Sequence, residues 1–415
     1  MDHSRRSFAL SLAALAAGSS LPRAASAAAP IRVGFLTVKS GALAAGGLQM
    51  EQGLRYFLQQ NHNTIAGRPV QLFVADTAGQ PALTKAKAQE LVEKDKVQVI
   101  IGPLAAFEAL AINDYIRQAQ VPIISPSAAA EDLTQRKDNP WFVRAVGTSA
   151  QPMHPLGDYV AKTLKYKRIA IIADDFAFGY EVSAGFQRTF EDGGGEIVQK
   201  LWSPLNVADY GSYIGELDTK VDAVFAAFAG GNGIKFIKQY SDYGLKGKIP
   251  LLGSMTTVDE GVLPAMGDDA LGIISGGWYT AELDNPYNKA FVAGIEHDYH
   301  RIPGYYTVGA YGAALMLKHA LETVHGDIEN RDAFMHALRH VVVPDDPRGP
   351  IRLDDLGNPI MNVYIRKVER KNGQLVNAVL KTYPNVSQFW TYNEKAFLAE
   401  PVYSRDYPPA RFLGR

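Results

Sequence analysis

Three short loops of small residues are the stretches of this sequence best suited to hold a ligand. Lys39–Ala42, Gly102–Ala106 and Ser125–Ala129 each follow an apolar stretch and precede a helical pattern. Such loops leave main-chain N–H groups free at the start of a helix, where an anionic group is stabilised. Their small side chains let a ligand approach the backbone closely. The three loops together predict a binding site for a carboxylate.

Side chains that could carry catalysis do not form a recognisable set. Gly230–Gly233 lacks the third glycine of a dinucleotide-binding loop, which favours a turn into a helix. His297 and His300 fall on a polar helix without the third ligand that metal sites usually add. Asp174 and Asp175 are neighbours at a strand end, so their side chains point apart. We therefore expect a protein that is not an enzyme and that holds no cofactor and no metal.

The elements that must position the three loops alternate between strand and helix. Ile31–Thr37 predicts a strand, and the buried-face spacing of the residues after it predicts a helix. Strand and helix alternate with a repeat of roughly 25–30 residues, which predicts parallel strands joined by crossover helices. The rhythm restarts at Arg168–Ala173, and helices are predicted near 287–300, 305–324 and 331–340. Two α/β lobes facing each other form a cleft at the carboxyl ends of their strands.

The amino terminus predicts export. Ser4-Arg5-Arg6-Ser7-Phe8 has the pattern of a twin-arginine signal, followed by an uncharged apolar stretch from Phe8 to Gly18. Ala25-Ser26-Ala27 supplies a small-residue cleavage site. Residues 1–27 are therefore interpreted as a twin-arginine signal peptide, and the mature protein is expected in the periplasm.

Composition excludes several other classes of protein. The chain has no cysteine, so it carries no disulfide framework, no thiolate metal site and no cysteine for a lipid anchor. The 42 basic and 43 acidic residues nearly cancel, which argues against nucleic acid or an anionic membrane surface as the partner. A mature chain of about 390 residues exceeds what one core supports, so two domains are expected.

At its loops the sequence resembles the periplasmic leucine/isoleucine/valine-binding family, the type I solute-binding proteins of ABC importers. The matching stretches are Val99–Leu104, Val121–Ala128, Leu133–Thr134, Phe142–Arg144, Phe178–Gly179, Asp209–Tyr210, Phe236–Gln239 and Gly244–Leu245. The resemblance implies two doubly wound parallel-sheet lobes joined by a three-segment hinge. Its lobe bounds are 31–147 plus 279–345 for lobe I, 148–278 plus 346–383 for lobe II, and 384–415 for a surface tail. It further implies a monomer that delivers a small ligand to an ABC permease.

Departures from the family pattern bear on the ligand. Met255 stands at the place of the acid that holds the α-ammonium of an amino acid, and the family tyrosine of the first loop falls near Ala45. A buried ammonium without a carboxylate partner is costly. The resemblance therefore implies a ligand other than an amino-acid zwitterion.

Aromatic residues gather where the resemblance places the cleft, which suits a planar apolar ligand. They are Phe107, Phe176, Phe178, Trp278 and Tyr279. We expect an aromatic acid whose ring lies against Phe178 and Trp278 and whose carboxylate is held by the backbone of two loops. Those loop positions are Ala105, Ala106, Phe107, Ser127, Ala128 and Ala129.

Two alternatives stay open at this stage. The first is a branched-chain amino acid as ligand, which requires another acid such as Asp174 or Asp175 to replace the one lost at Met255. The second is a sensor subunit that reports its ligand to a kinase or regulator.

Overall fold

The computed structural model describes residues 29–413, so the predicted signal peptide at 1–27 lies outside the described residues. Two β-sheets flanked by helices form the two lobes of the chain. The predicted fold class, two parallel-sheet lobes of α/β type, is confirmed. None of the helices between residues 29 and 413 combines the length and the hydrophobicity that spanning a membrane requires.

The first lobe is built around a six-stranded sheet from the amino-terminal part of the chain. Its elements are β1 (Ile31–Thr37), α1 (Ala44–Gln60), β2 (Thr64–Ile65), β3 (Arg68–Asp76), α2 (Pro81–Gln89), β4 (Val99–Ile101), α3 (Ala106–Ala119), β5 (Ile123–Ser125) and β6 (Phe142–Arg144). The strand order is β2-β3-β1-β4-β5-β6, and only the β2–β3 hairpin is antiparallel. The central strand β1 is buried almost throughout, as expected for a parallel strand covered by helices on both faces.

The second lobe repeats this pattern. Its elements are α4 (Met153–Tyr159), β7 (Arg168–Asp174), α5 (Ala177–Asp192), β8 (Glu196–Ser203), α6 (Gly211–Glu216), β9 (Ala223–Ala227), α7 (Gly231–Asp242), β10 (Leu251–Gly253), α8 (Leu263–Met266) and β11 (Ile274–Gly277). The five strands pair in parallel in the order β8-β7-β9-β10-β11. The Gly230–Gly233 segment is the predicted turn into a helix, because α7 begins inside it.

The carboxyl-terminal part of the chain contributes to both lobes. Its elements are α9 (Pro286–Tyr299), α10 (Tyr305–Thr323), α11 (Arg331–Arg339), β12 (Val342–Val343), β13 (Ile351–Leu353), β14 (Pro359–Lys371), β15 (Gln374–Val386) and α12 (Glu394–Ala399). Helix α10 packs along α1 in the first lobe, whereas β14 pairs antiparallel with β11 in the second. The chain thus passes three times between the lobes, although the lobe bounds given above stay a prediction. The three predicted helices in this region are confirmed as α9, α10 and α11.

The segment after β15 packs against both lobes. Phe397 and Tyr403 form a small apolar cluster with Ala150 and with Ala184 of α5, and the Tyr403 hydroxyl lies 3.2 Å from Nε2 of His154 on α4. Arg136, in the first lobe, donates hydrogen bonds to the carbonyl oxygens of Phe397 and Glu400. Arg188 on α5 pairs with the Glu400 carboxylate at 2.6 Å. The segment predicted as a surface tail therefore links α5 to the turn that follows β5.

A glycine sets the distance between α1 and α10. A Cβ atom added to Gly53 would lie 2.0 Å from the carbonyl oxygen of Thr307, a backbone atom that cannot rotate away. This contact fixes the start of α10, which carries the cleft residues described below.

Replacing Gly53 by alanine should destabilise the protein by about 1–3 kcal/mol, because the two helices must separate to admit the methyl group. Chemical denaturation measures this loss. Gly215→Ala on α6 is the matched control, since its Cβ meets nothing within 4 Å. The control should match or slightly exceed the wild type in stability, and equal stability of both variants would contradict the packing described.

Candidate functional site

A cleft with about 350 Å³ of empty space lies between the carboxyl ends of the two sheets. Eight residues line it from the first lobe: Leu43, Leu104, Ala105, Ala106, Ser127, Ala129, Tyr305 and Tyr306. Four line it from the second lobe: Phe176, Phe178, Ala229 and Thr256. Both lobes therefore supply walls, as a site that closes around its ligand requires.

The loop between β4 and α3 presents a helix start to the cleft. The N–H of Ala105 donates to the Glu108 carboxylate at 2.8 Å, which fixes the first turn of α3. Glu108 is itself held by the hydroxyls of Thr77 and Thr84, and burial raises the pKa of its carboxyl. The N–H groups of the first helical residues have no acceptor within the helix. The N–H of Ala106 is thus available to a ligand.

A buried arginine shapes the loop after β5. Arg144 is fully buried, and its guanidinium donates to the carbonyl oxygens of Ala128 and Ala130 and to the Thr134 hydroxyl. The carbonyl of Ala129 accepts from the Ser149 N–H at 2.9 Å. Burial lowers the pKa of Arg144 to about 10, so the guanidinium stays charged at neutral pH.

Holding the carbonyls of this loop also orients its N–H groups. The Tyr305 hydroxyl donates to the carbonyl of Ser127 at 2.9 Å, so the carbonyls of residues 127 to 130 are all held. In a planar trans peptide the C=O and the next N–H point in opposite directions. The N–H of Ala129 therefore faces away from Arg144, and the N–H of Ala128 faces away from the Tyr305 hydroxyl. The Ser127 hydroxyl, beside them, has no hydrogen-bond partner within residues 29–413.

Aromatic rings form the opposite wall. Phe176 and Phe178, at the start of α5, stack with their ring centroids 5.9 Å apart. Phe107 of the first lobe meets Phe176 edge-on at 5.6 Å, so the lobes touch at one end of the cleft. A flat apolar ligand can pack against these rings.

The twelve lining residues include no acid and no base. Asp174, behind the lining residue Ala229, is engaged by the Ala229 N–H and the Asn232 amide, each at 2.8 Å. Burial raises the pKa of Asp174 to about 7. Asp175 instead bonds the Tyr180 hydroxyl at 2.6 Å and lies near Arg405. Neither carboxylate is presented to the cleft as a free partner for an ammonium group.

The structure brings together five of the nine residues predicted from the sequence. The five that line the cleft are Ala105, Ala106, Ser127, Ala129 and Phe178. Phe107 contacts Phe176, and Ala128 is buried inside the loop. Trp278 is fully buried behind Tyr305, with ring centroids 5.6 Å apart, and Met255 is buried beside Arg366. Their roles as ligand contacts stay a prediction.

Sequence reasoning missed the two tyrosines that begin α10. Tyr305 and Tyr306 line the cleft although they lie about 180 residues beyond the Ser127 loop, and only the third chain passage brings them there. An aromatic pair directly after Gly304, at the start of a predicted helix, was the available signal. Thr256 also lines the cleft, but its hydroxyl already donates to the Phe228 carbonyl.

Comparisons with known proteins agree with this architecture. The sequence pattern of the family described as periplasmic binding protein matches residues 30–374. Leu/Ile/Val-binding protein homolog 6 of Brucella melitensis is 28% identical over 372 residues, which cover 88% of this chain and 94% of that protein.

Solved structures are similar over the same region. An ABC transporter substrate-binding protein from Sphaerobacter thermophilus is 34% identical with a TM-score of 0.82, covering 86% of this chain and 99% of its own. A solute-binding protein of an ABC transporter from Rhodopseudomonas palustris BisB5, solved in complex with 3,4-dihydroxybenzoic acid, is 32% identical. Its TM-score is 0.83, and the match covers 86% of this chain and 98% of that one.

Two buried carboxylates meet between the lobes beside the Ser127 loop. The N–H of Glu131, in the first lobe, donates to Glu181 Oε1 on α5 at 3.2 Å. Both side chains are buried, and neither Glu131 oxygen has a hydrogen-bond partner within residues 29–413. Burial, followed by the facing charge, raises the pKa of Glu131, and burial raises that of Glu181 to about 7. Arg144 and Arg136 supply the nearby positive charge.

Glu181→Gln should stabilise the protein at pH 8 by about 1–2 kcal/mol and much less at pH 4.5. The unfolded chain releases the Glu181 proton near pH 4, whereas the folded protein retains it to about pH 7. Stability that is present below pH 4 is therefore lost as the pH rises to 7, and glutamine removes this loss.

Denaturant titrations of both proteins at the two pH values measure the difference. Glu296→Gln on the exposed face of α9 is the control and should change stability at neither pH. A Glu181→Gln variant that is less stable than the wild type at pH 8 would show that the carboxylate is ionised and stabilising there.

Proposed function

The chain belongs to the periplasmic binding protein family of solute-binding proteins that serve ABC transporters, and we propose that its cleft captures an aromatic carboxylate for import. The match spans residues 30–374 and both lobes. The solute is held between the lobes, and the proposed partner is an ABC permease that receives it. No reaction is part of this function.

The absence of charged side chains from the cleft lining carries the proposal. A bound amino acid brings an ammonium group. Burying that group without a carboxylate partner weakens binding by roughly several kcal/mol. Asp174 is already engaged by two donors and Asp175 by Tyr180. Glu108 and Asp259 are likewise engaged, by backbone N–H groups that include those of Ala105 and Tyr305. A ligand with one negative charge and no positive charge fits this lining.

Neutral donors are sufficient to hold the carboxylate. The N–H of Ala106 at the start of α3, the N–H groups of Ala128 and Ala129, and the Ser127 hydroxyl lie on neighbouring loops of the first lobe. Hydrogen bonds from such groups to a charged acceptor contribute about 1.5–3 kcal/mol each. The helix start adds a favourable partial charge.

The second lobe supports the choice of an aromatic ring. Phe176 and Phe178 offer stacked faces, and Ala229 leaves room beside them. The R. palustris relative, which is 32% identical, was solved with a dihydroxybenzoic acid. Closing the second lobe over the ring removes it from water and creates the two-lobe surface that the permease reads.

Export and assembly follow from the same proposal. Family membership implies a location outside the cytoplasm. We propose the twin-arginine route because of Arg5 and Arg6 and the apolar stretch behind them. The mature protein is proposed to act as a monomer.

A thermal-shift screen tests the proposed function. The mature protein is first unfolded in denaturant and refolded, which removes any ligand retained from the cell. Benzoate should raise the melting temperature because it binds only the native state, and leucine and valine should not.

Two further ligands test separately whether the carboxylate and the aromatic ring are each required for binding. Benzamide has the ring without the charge and should give a much smaller shift, and cyclohexanecarboxylate, which has the charge without the flat ring, should do the same. A shift with leucine or valine alone would contradict the proposal and favour a branched-chain amino acid, as the name of the Brucella relative suggests.

A further inference from the structure

Two tyrosines begin α10, and their hydroxyls are in different situations. Tyr305 is anchored at both ends, because its N–H donates to the Asp259 carboxylate and its hydroxyl to the Ser127 carbonyl. Tyr306 also lines the cleft, and its hydroxyl makes no hydrogen bond to any group within residues 29–413.

The ring of Tyr306 is held firmly. It meets the Tyr305 ring edge-on, with centroids 4.9 Å apart. On the other side it lies against Gly46 of α1, where an added Cβ would be 3.0 Å from two ring carbons. The glycine at position 46 thus makes room for the ring, and the hydroxyl is fixed in place before a ligand arrives.

Burial makes an unpartnered hydroxyl costly. Tyr306 is only 6% exposed, and closure of the lobes on a ligand excludes the remaining water. A polar group buried without a partner destabilises the closed complex, whereas a ligand hydroxyl at that place restores the hydrogen bond. A site of this kind discriminates strongly against an analogue that lacks the matching hydroxyl.

The other free hydroxyl of the cleft lies in the anion-binding region. Ser127 stands beside the N–H groups of Ala128 and Ala129, so it pairs with the ligand carboxylate. Tyr306 lies in the first turn of α10, and its ring lies against Gly46 of α1. The cleft therefore offers its ligand two separate polar contacts, one for a carboxylate and one for a neutral group.

We propose that Tyr306 recognises a hydroxyl group on the ring, so that the preferred ligands are hydroxylated aromatic acids. This inference rests on the proposed function, because it assigns the second polar group of the same ligand. The hydroxyl of Tyr306 either donates to the ring hydroxyl or accepts from it, and both arrangements satisfy the two groups.

Calorimetric titrations of refolded protein with benzoate, 3-hydroxybenzoate and 4-hydroxybenzoate test the assignment. In the wild type at least one hydroxybenzoate should bind about tenfold more tightly than benzoate. In Tyr306→Phe this ratio should fall to about one. The readout is the ratio of two dissociation constants, so any general change in affinity cancels.

Tyr305→Phe is the matched control. It removes a hydroxyl one residue away in the same cleft, but this hydroxyl supports the Ser127 loop. It should weaken benzoate and the hydroxybenzoates by similar factors and leave the ratio at its wild-type value.

The outcomes separate the two proposals. If benzoate binds and neither hydroxybenzoate is preferred, or if the preference survives in Tyr306→Phe, the role of Tyr306 is wrong while the proposed function stands. If none of the three acids binds, the proposed function fails and this inference fails with it.

Discussion

The cleft depends on one buried cation. Arg144 ends β6 and places its guanidinium behind the loop that follows β5, where it holds the carbonyls of Ala128 and Ala130. A positive charge in such a place needs acceptors, and backbone carbonyls supply them without bringing an acid into the cleft. Two carbonyls of the loop are therefore turned toward Arg144, and the N–H of Ala129, in the same peptide as the Ala128 carbonyl, points the opposite way.

Charged side chains are absent from the cleft lining but lie buried directly behind it. Arg144, Glu131 and Glu181 lie behind the loop, and Asp174 lies behind Ala229, all of them buried. Burial raises the pKa of the three carboxyl groups, and backbone carbonyls hold the Arg144 guanidinium. The cleft surface, by contrast, consists of small, aliphatic, aromatic and hydroxyl-bearing residues. In the proposed function, a carboxylate that enters meets neutral donors and no charged side chain. An ammonium group meets no free acceptor of opposite charge.

Much of this could be predicted from the sequence, because the relevant signals are local. Apolar strands followed by small-residue loops predicted the two lobes and the loops at 102–106 and 125–129, whose residues line the cleft. The tyrosines of α10 could not be placed this way, since their position depends on the third passage of the chain between the lobes. The burial of Trp278 and Met255 could not be predicted either. Alignment with a family motif gives the position of a residue along the chain, but it does not give the direction of the side chain. Arg144 was visible as part of a matching stretch, and only the structure shows what its guanidinium holds.

A crystal structure of the refolded, mature protein with benzoate tests the central claim most directly. The account predicts that both carboxylate oxygens lie within hydrogen-bond distance of N–H groups among residues 106 and 127–129, with Arg144 still behind the loop and no charged side chain touching the ligand. The ring should lie against Phe176 or Phe178. A carboxylate paired directly with an arginine or lysine, or bound against the second lobe with the Ser127 loop empty, would contradict it.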